Sequence, residues 1–251
     1  MRLRDLSMLA LAALLAGCAG GGARPGASDE RARLAMQNVA MGQQYLEQGM
    51  HEIALQRLQE ALRHDPRSAD AHSLLGVLYE RIGRAALAEE HYGRSVRLAP
   101  ERGAILNNYG AWLCRNGRPA EAGEWFVRAL DDPFYRTPVA ALANAGNCAL
   151  LAGRLDQAEE FFRRVLEIDP GHLDSLHQLT VLSYARGDLL RARAFSQRRL
   201  AGGPPDPGAL ELAARIEDGL GDNAAANRYR ARLRAEFPDY RPTSPDSPRT
   251  P

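Results

Sequence analysis

A pattern that returns every 34 residues constrains this chain more than any other feature it carries. In the stretch Ala69 to Arg102, ADAHSLLGVLYERIGRAALAEEHYGRSVRLAPER, Leu75, Gly76 and Tyr79 fall together, then Ala88, Tyr92 and Ser95, then Pro100. Apolar or small residues thus recur at helical spacing over two short segments, with Gly83 between them and a proline closing the second. One unit earlier the same places hold Met41, Gly42, Tyr45, Ala54, Leu58, Ala61 and Pro66. One unit later they hold Tyr109, Gly110, Ala122, Phe126 and Ala129. Three matches in phase predict an all-α chain of stacked helix–turn–helix units, none of which buries its apolar face alone.

This pattern resembles the tetratricopeptide repeat, which implies a superhelical solenoid of about six helix–turn–helix repeats. By phase they lie near residues 35–68, 69–102, 103–136, 139–172, 173–206 and 207–240. The fourth carries Ala145, Gly146, Ala149, Ala158, Phe162, Val165 and Pro170. From Gly110 to Gly146 the spacing is 36 instead of 34, and the two additional residues fall in the connection from Asp131 to Pro138. In the fifth unit Thr180 stands where glycine was, while Leu176, Leu179, Ala192 and Pro204 hold the phase. The sixth keeps Leu210, Ala213, Ala226 and Pro238, and such weakening is expected of a capping repeat. The repeat domain therefore spans residues 29–240, with Asp29 and Glu30 at a helix N-terminus, where the dipole favours acids.

The ends of the chain read differently. Arg2 and Arg4 precede an apolar run from Leu6 to Leu15, the shape of an export signal over residues 1–17. That run is about ten residues long, half of the ~20 that a membrane-spanning helix needs. Leu15-Ala16-Gly17-Cys18 resembles the bacterial lipobox, which implies that Cys18 is acylated and becomes the new N-terminus. Several acyl chains anchor durably where one binds marginally. By the same resemblance, Ala19 after the cysteine points to the outer membrane, with the folded part facing the periplasm. Residues 18–28 are rich in Gly, Ala and Pro and read as a flexible tether, reaching less than about 20 Å. Residues 241–251, Pro- and Ser-rich, read as a disordered tail.

Composition narrows the function. The formal charge is +1, with 32 basic and 31 acidic side chains, so no long-range field draws in nucleic acid. Every basic side chain other than histidine is arginine. The cluster Arg191, Arg193, Arg198 and Arg199 is the one local excess, read as a solvated helix face before an anionic-lipid or cell-wall contact. The six histidines show no i, i+4 metal spacing, and neither zinc-ribbon cysteines, a phosphate loop nor a nucleophile elbow is present. Six repeats fill the exported chain. The reading is a binding protein and not an enzyme, with no cofactor, no metal and no small-molecule substrate.

In tetratricopeptide proteins the first helices line the concave side, with groove positions two, five, nine and twelve residues into each repeat. By that resemblance the groove includes Asn107 and Ala111 in the third repeat, Asn147 in the fourth, and His177 and Tyr184 in the fifth. This mixture of apolar and neutral-polar residues fits an apolar or helical peptide docking by its side chains. Cys114 and Cys148 fall late in the first helices of consecutive repeats, at nearly the same height. Two readings stay open for them: a disulfide across the join, or two small buried thiols.

The third and fourth repeats carry a more specific signature. The segments Asn107-Asn108-Tyr109-Gly110-Ala111-Trp112-Leu113-Cys114, Asp132-Pro133-Phe134-Tyr135-Arg136-Thr137-Pro138 and Asn144-Ala145-Gly146-Asn147-Cys148 resemble the type IV pilus biogenesis and stability lipoproteins, the PilF/PilW family. The resemblance implies an outer-membrane pilotin or pilus-stability factor whose partner is the secretin subunit, and it adds Asn108 and Asn144 to the groove residues. The alternative is a generic periplasmic scaffold for envelope or cell-wall assembly enzymes, which would share anchor and repeats.

Overall fold

The computed structural model describes residues 26–204 and 206–241. The export signal, Cys18, most of the tether and the tail beyond Arg241 lie outside these residues. The described residues form twelve α-helices and no strand, in six consecutive pairs. The pairs are α1 (Ala27–Glu47) with α2 (His51–His64), α3 (Ala69–Arg81) with α4 (Ala85–Leu98), and α5 (Gly103–Arg115) with α6 (Pro119–Leu130). They continue as α7 (Pro138–Leu151) with α8 (Leu155–Ile168), α9 (Leu173–Ala185) with α10 (Leu189–Gly202), and α11 (Pro207–Gly219) with α12 (Asn223–Glu236). Helix α1 starts at Ala27, two residues inside the stretch read as tether, and Asp29 and Glu30 occupy its first turn.

The chain falls into two compact units, the first ending at Pro66 and the second starting at Arg67. The first is the α1/α2 hairpin, closed by Gly42 against Leu58, with Ala54, Leu58 and Ala61 fully buried. In the second unit each pair packs internally, and each second helix also meets the first helix of the next pair. Helix α5 lies against both α3 and α7.

Every pair turns in the same way. At Gly83 the backbone φ is 72°, a left-handed conformation that costs glycine nothing. Its N–H reaches the carbonyl of Glu80 at 3.0 Å, and the N–H of Arg84 reaches that of Tyr79 at 2.7 Å. This is a Schellman closure, which satisfies the last carbonyls of α3 and starts α4 after a minimal turn. Gly49, Gly117, Gly153, Gly187 and Gly221 repeat it, so the fifth and sixth pairs keep the turn even where their other positions drift.

The glycine inside the first helix of each of the first four pairs has a different task. A Cβ on Gly76 would lie 2.7 Å from the Tyr92 ring, and one on Gly146 would lie 2.6 Å from Phe162. Tyr92, Phe126 and Phe162 are among the largest fully buried side chains, each seated on the glycine sixteen positions before it. In the fifth pair the same two positions hold Thr180 and Ser196, both buried, and the Thr180 hydroxyl donates to the Leu176 carbonyl at 2.7 Å. Between pairs, Tyr92 meets Trp112 at 5.7 Å between ring centroids, and within α5 Tyr109 stacks on Trp112 at 5.9 Å. The long connection runs from 131 to 137, where α6 stops early and Pro138 opens α7. Among the described residues no helix is long and apolar enough to cross a membrane.

Candidate partner-binding surface

The first helices α3, α5 and α7 are tied to one another by polar and covalent contacts along their shared face. Asn108 Nδ2 donates to Ser73 Oγ at 3.2 Å, joining α5 to α3. Asn144 Nδ2 donates to Asn107 Oδ1 at 3.1 Å, joining α7 to α5. Arg115 forks onto Glu80 at 2.7 and 2.9 Å, and the Tyr92 hydroxyl donates to the same carboxylate at 3.0 Å. Burial and that carboxylate push the Tyr92 phenol well above its ordinary pKa, so it stays a donor at any working pH. Arg102 forks onto Asp70 at 2.9 and 2.7 Å, a second strut between these helices' N-terminal ends. Cys114 and Cys148 form a disulfide with their Cα atoms 5.8 Å apart, which links α5 to α7.

These contacts determine what each groove candidate offers. Asn107 and Ala111 are buried, each 8% exposed, and Asn108 and Asn144 are half-buried with amides engaged on neighbouring helices. Asn147 is exposed. His177 and Tyr184 sit on α9 and are half-buried; Tyr184 packs with Val181 and Leu220 against Ala192, Leu212 and Ile216. The structure thus gathers the four asparagines and the cysteine pair on α5 and α7, with His177 and Tyr184 on another helix. Open surface on this face comes from Ala104, Ala140 and Asn147, with partly exposed Val77, Ala143 and Leu150.

The arginine cluster on α10 does not form a free basic patch. Arg191 pairs with Asp188 at 3.2 Å and with Glu159 at 3.5 Å. Arg193 pairs with Glu217, Arg198 donates to the Pro170 carbonyl at 2.8 Å, and Arg199 lies 4.0 Å from Asp206. Among the described residues no group of three or more His, Cys, Asp or Glu side chains is placed to hold a metal ion.

One surface feature went unread in the sequence. The 131–137 connection edges an open cavity of about 1000 Å³, and its Phe134 is 87% exposed. Asp132 clamps the loop that carries it: one carboxylate oxygen accepts from the Gly103 N–H at 2.8 Å, the other from the Phe134 N–H at 2.9 Å. Those two backbone donors hold the Asp132 carboxyl below its ordinary pKa. Behind the loop Tyr135 packs on Gly103, where a Cβ would come within 2.7 Å of the ring. The loop thus presents a large aromatic side chain outward on a braced backbone. The signal for it was already present, an aromatic between Pro133 and Tyr135 in the one connection that exceeds the period.

The tetratricopeptide repeat family pattern matches residues 39–102, 82–135 and 139–172, more than half of the chain, which belongs to that family. Over nearly its whole length the chain is also homologous to the type IV pilus assembly protein PilF of Pseudomonas aeruginosa. The two are 27% identical over 240 residues, 95% of each chain. The solved structure of Pseudomonas aeruginosa PilF superposes with a TM-score of 0.77 at 27% identity, covering 84% of this chain and 95% of that one. PilW, described as a widely conserved type IV pilus biogenesis factor, superposes at 0.69 and 29% identity, covering 85% of this chain and 94% of that one.

Proposed function

We propose that this chain is a non-catalytic protein-binding scaffold of type IV pilus assembly, acting as a pilotin or pilus-stability factor. The observation that carries the proposal is the end-to-end homology to PilF, together with the structural likeness to both PilF and PilW. In this reading Cys18 is lipidated and holds the repeats on the periplasmic side of the outer membrane. The repeats hold a segment of the secretin subunit until subunits join into a ring, and tethering raises the local concentration without demanding tight binding. The braced Phe134 loop and the Asn147 side of α7 are the contact points, because they are accessible where Asn107 and Ala111 are not.

The test compares wild type, a deletion strain and Cys18→Ser for detergent-resistant secretin multimers in the outer membrane and for surface pili. Loss of rings on deletion, with mislocalised rings in Cys18→Ser, is the pilotin result. Intact rings with few pili assign the role to fibre stability. Intact rings with normal pili overturn the pilus reading and favour a scaffold for envelope or cell-wall assembly enzymes.

A further inference from the structure

Helices α5 and α7 are joined by the Cys114–Cys148 bridge and by the Asn144 amide on Asn107, contacts that no proton alters near neutral pH. The first helices before and after them in the stack, α3 and α9, each depend on an imidazole instead.

On α9 that imidazole is the N-cap. His172 stands at the place in the repeat where Ser68 caps α3 and Asp206 caps α11. Its Nδ1 accepts the Ser175 N–H at 3.2 Å and lies 3.0 Å from the Ser175 Oγ. A serine oxygen offers such an acceptor at any pH, but an imidazole offers it only while Nδ1 carries no proton. The turn capped in this way is closely packed: Ser175 and Leu176 are buried, and Leu173 lies over Gly203 at the end of α10.

On α3 the imidazole is His72, which is buried and has its Nδ1 3.0 Å from the His91 Nδ1 on α4. In this contact one nitrogen donates and the other accepts. Once both rings are imidazolium, two N–H donors and two positive charges face each other. Burial already disfavours a charged His91, holding its pKa below the ordinary histidine value. The charged groups around this pair are Glu90 and Arg94 on α4, with Asp70 of α3 engaged by Arg102 before α5. Near His172 they are Asp169 after α8, Asp174 in the first turn of α9, Arg198 of α10 on the Pro170 carbonyl, and Asp206 before α11 with Arg199. Carboxylates and guanidinium groups ordinarily keep their charge between about pH 5 and 8, the interval in which histidine changes its own.

We propose that acid loosens α3 and α9 on either side of a fixed α5/α7 centre, so that the first-helix face is braced at neutral pH and relaxed at its flanks below it. The consequence for binding rests on the partner surface proposed above, whereas the loosening itself is read without any partner.

Hydrogen exchange of the full chain, followed by mass spectrometry at about pH 7.5 and about pH 5.5 and corrected for the intrinsic rate at each, tests this. Amides of α3 and α9 should exchange several-fold faster at the lower pH, and those of α5 and α7 should not change. His172→Ser supplies a cap that does not titrate, so it should abolish the acceleration in α9 and leave that in α3. His91→Gln should do the reverse. Equal corrected exchange at the two pH values in the wild-type chain overturns the proposal. So does an acceleration in α9 that survives His172→Ser, or one in α5 and α7 as large as that in α9. The imidazole nitrogen resonances of the wild-type chain give a second reading that no variant disturbs: a His172 Nδ1 already protonated at neutral pH also overturns it.

Discussion

Asn144 donates its amide to Asn107 at 3.1 Å, so two asparagines nominated for the groove are bound to each other across α5 and α7. Asn107 is buried, and an arginine there would set a charge against Asn144 and the disulfide-linked wall. Asn107→Arg is therefore expected to destabilise the fold by roughly 1–3 kcal/mol, read as a lower midpoint in urea unfolding. Asn147→Arg, on exposed surface, should leave that midpoint within about 0.5 kcal/mol. If both shifted the midpoint equally, the division of this face into buried and open asparagines would be wrong.

The Cys114–Cys148 bridge closes a 34-residue loop between first helices that otherwise meet through a few side chains. Constraining a loop of that length in the unfolded chain contributes roughly 2–4 kcal/mol. Cys114→Ser/Cys148→Ser should lose that much in oxidising buffer. Added reductant should lower wild type to match while leaving the double variant unmoved. No reductant effect on the wild-type midpoint would show that the bridge contributes nothing.

Tight packing between Gly146 and Phe162 predicts opposite outcomes at two glycines. In Gly146→Ala the new methyl would sit 2.6 Å from a fully buried ring, and the expected cost is about 1–3 kcal/mol. Gly123→Ala, in the interior of α6, brings its methyl no closer than 3.9 Å to the end of Arg154. There only the helix preference acts, and a gain of roughly 0.5–1 kcal/mol is expected. Thermal unfolding of both variants against wild type reads the two signs.

Much of this architecture was legible because the period records a physical need at fixed places. Gly76 with Tyr92 and Gly146 with Phe162 are close-packing pairs, and a pair of that kind is visible in sequence at a constant spacing. The drift at Thr180 hid little, since Gly187 keeps the turn and Leu179 and Ala192 stay buried. The surface was harder to read. A groove register says which residues face a direction, but not that Asn107 and Asn144 satisfy each other or that Ala111 is covered. Those outcomes depend on how closely α5 approaches α7, which local periodicity does not encode. The exposure of Phe134 was hidden for the converse reason: it lies in the connection that breaks the period, outside any register.

His91 gives the α3/α4 pair a pH dependence whose sign can be fixed. Its Nδ1 lies 3.0 Å from that of His72, and its ring lies 5.3 Å from Tyr79. Burial holds the His91 pKa below the ordinary histidine value; Arg94 acts in the same direction, and Glu90 opposes it. The unfolded chain therefore takes up this proton first as pH falls. Stability should be fully present above the ordinary value near 6.5 and decline below it, until the folded form also protonates. His91→Gln should flatten the urea midpoint between pH 7 and 5 relative to wild type. An unchanged slope would place the dependence on other groups.

Phe134 offers the sharpest separation of binding from folding. It is 87% exposed, so Phe134→Ser removes no core contact and should move the unfolding midpoint by less than about 0.5 kcal/mol. If the ring is an interface anchor, its loss should weaken partner capture by about 2 kcal/mol or more, roughly thirtyfold in affinity. Asp132→Ala tests the brace rather than the ring, because it releases the Gly103 and Phe134 amides that hold the loop. Its expected effect is intermediate, with the ring still present but no longer held outward. Both would be measured as secretin recovered with the purified chain, beside Asn147→Arg on the first-helix face. Binding lost in Asn147→Arg and kept in Phe134→Ser would move the contact from the loop to α7. Binding kept in all three would exclude both surfaces.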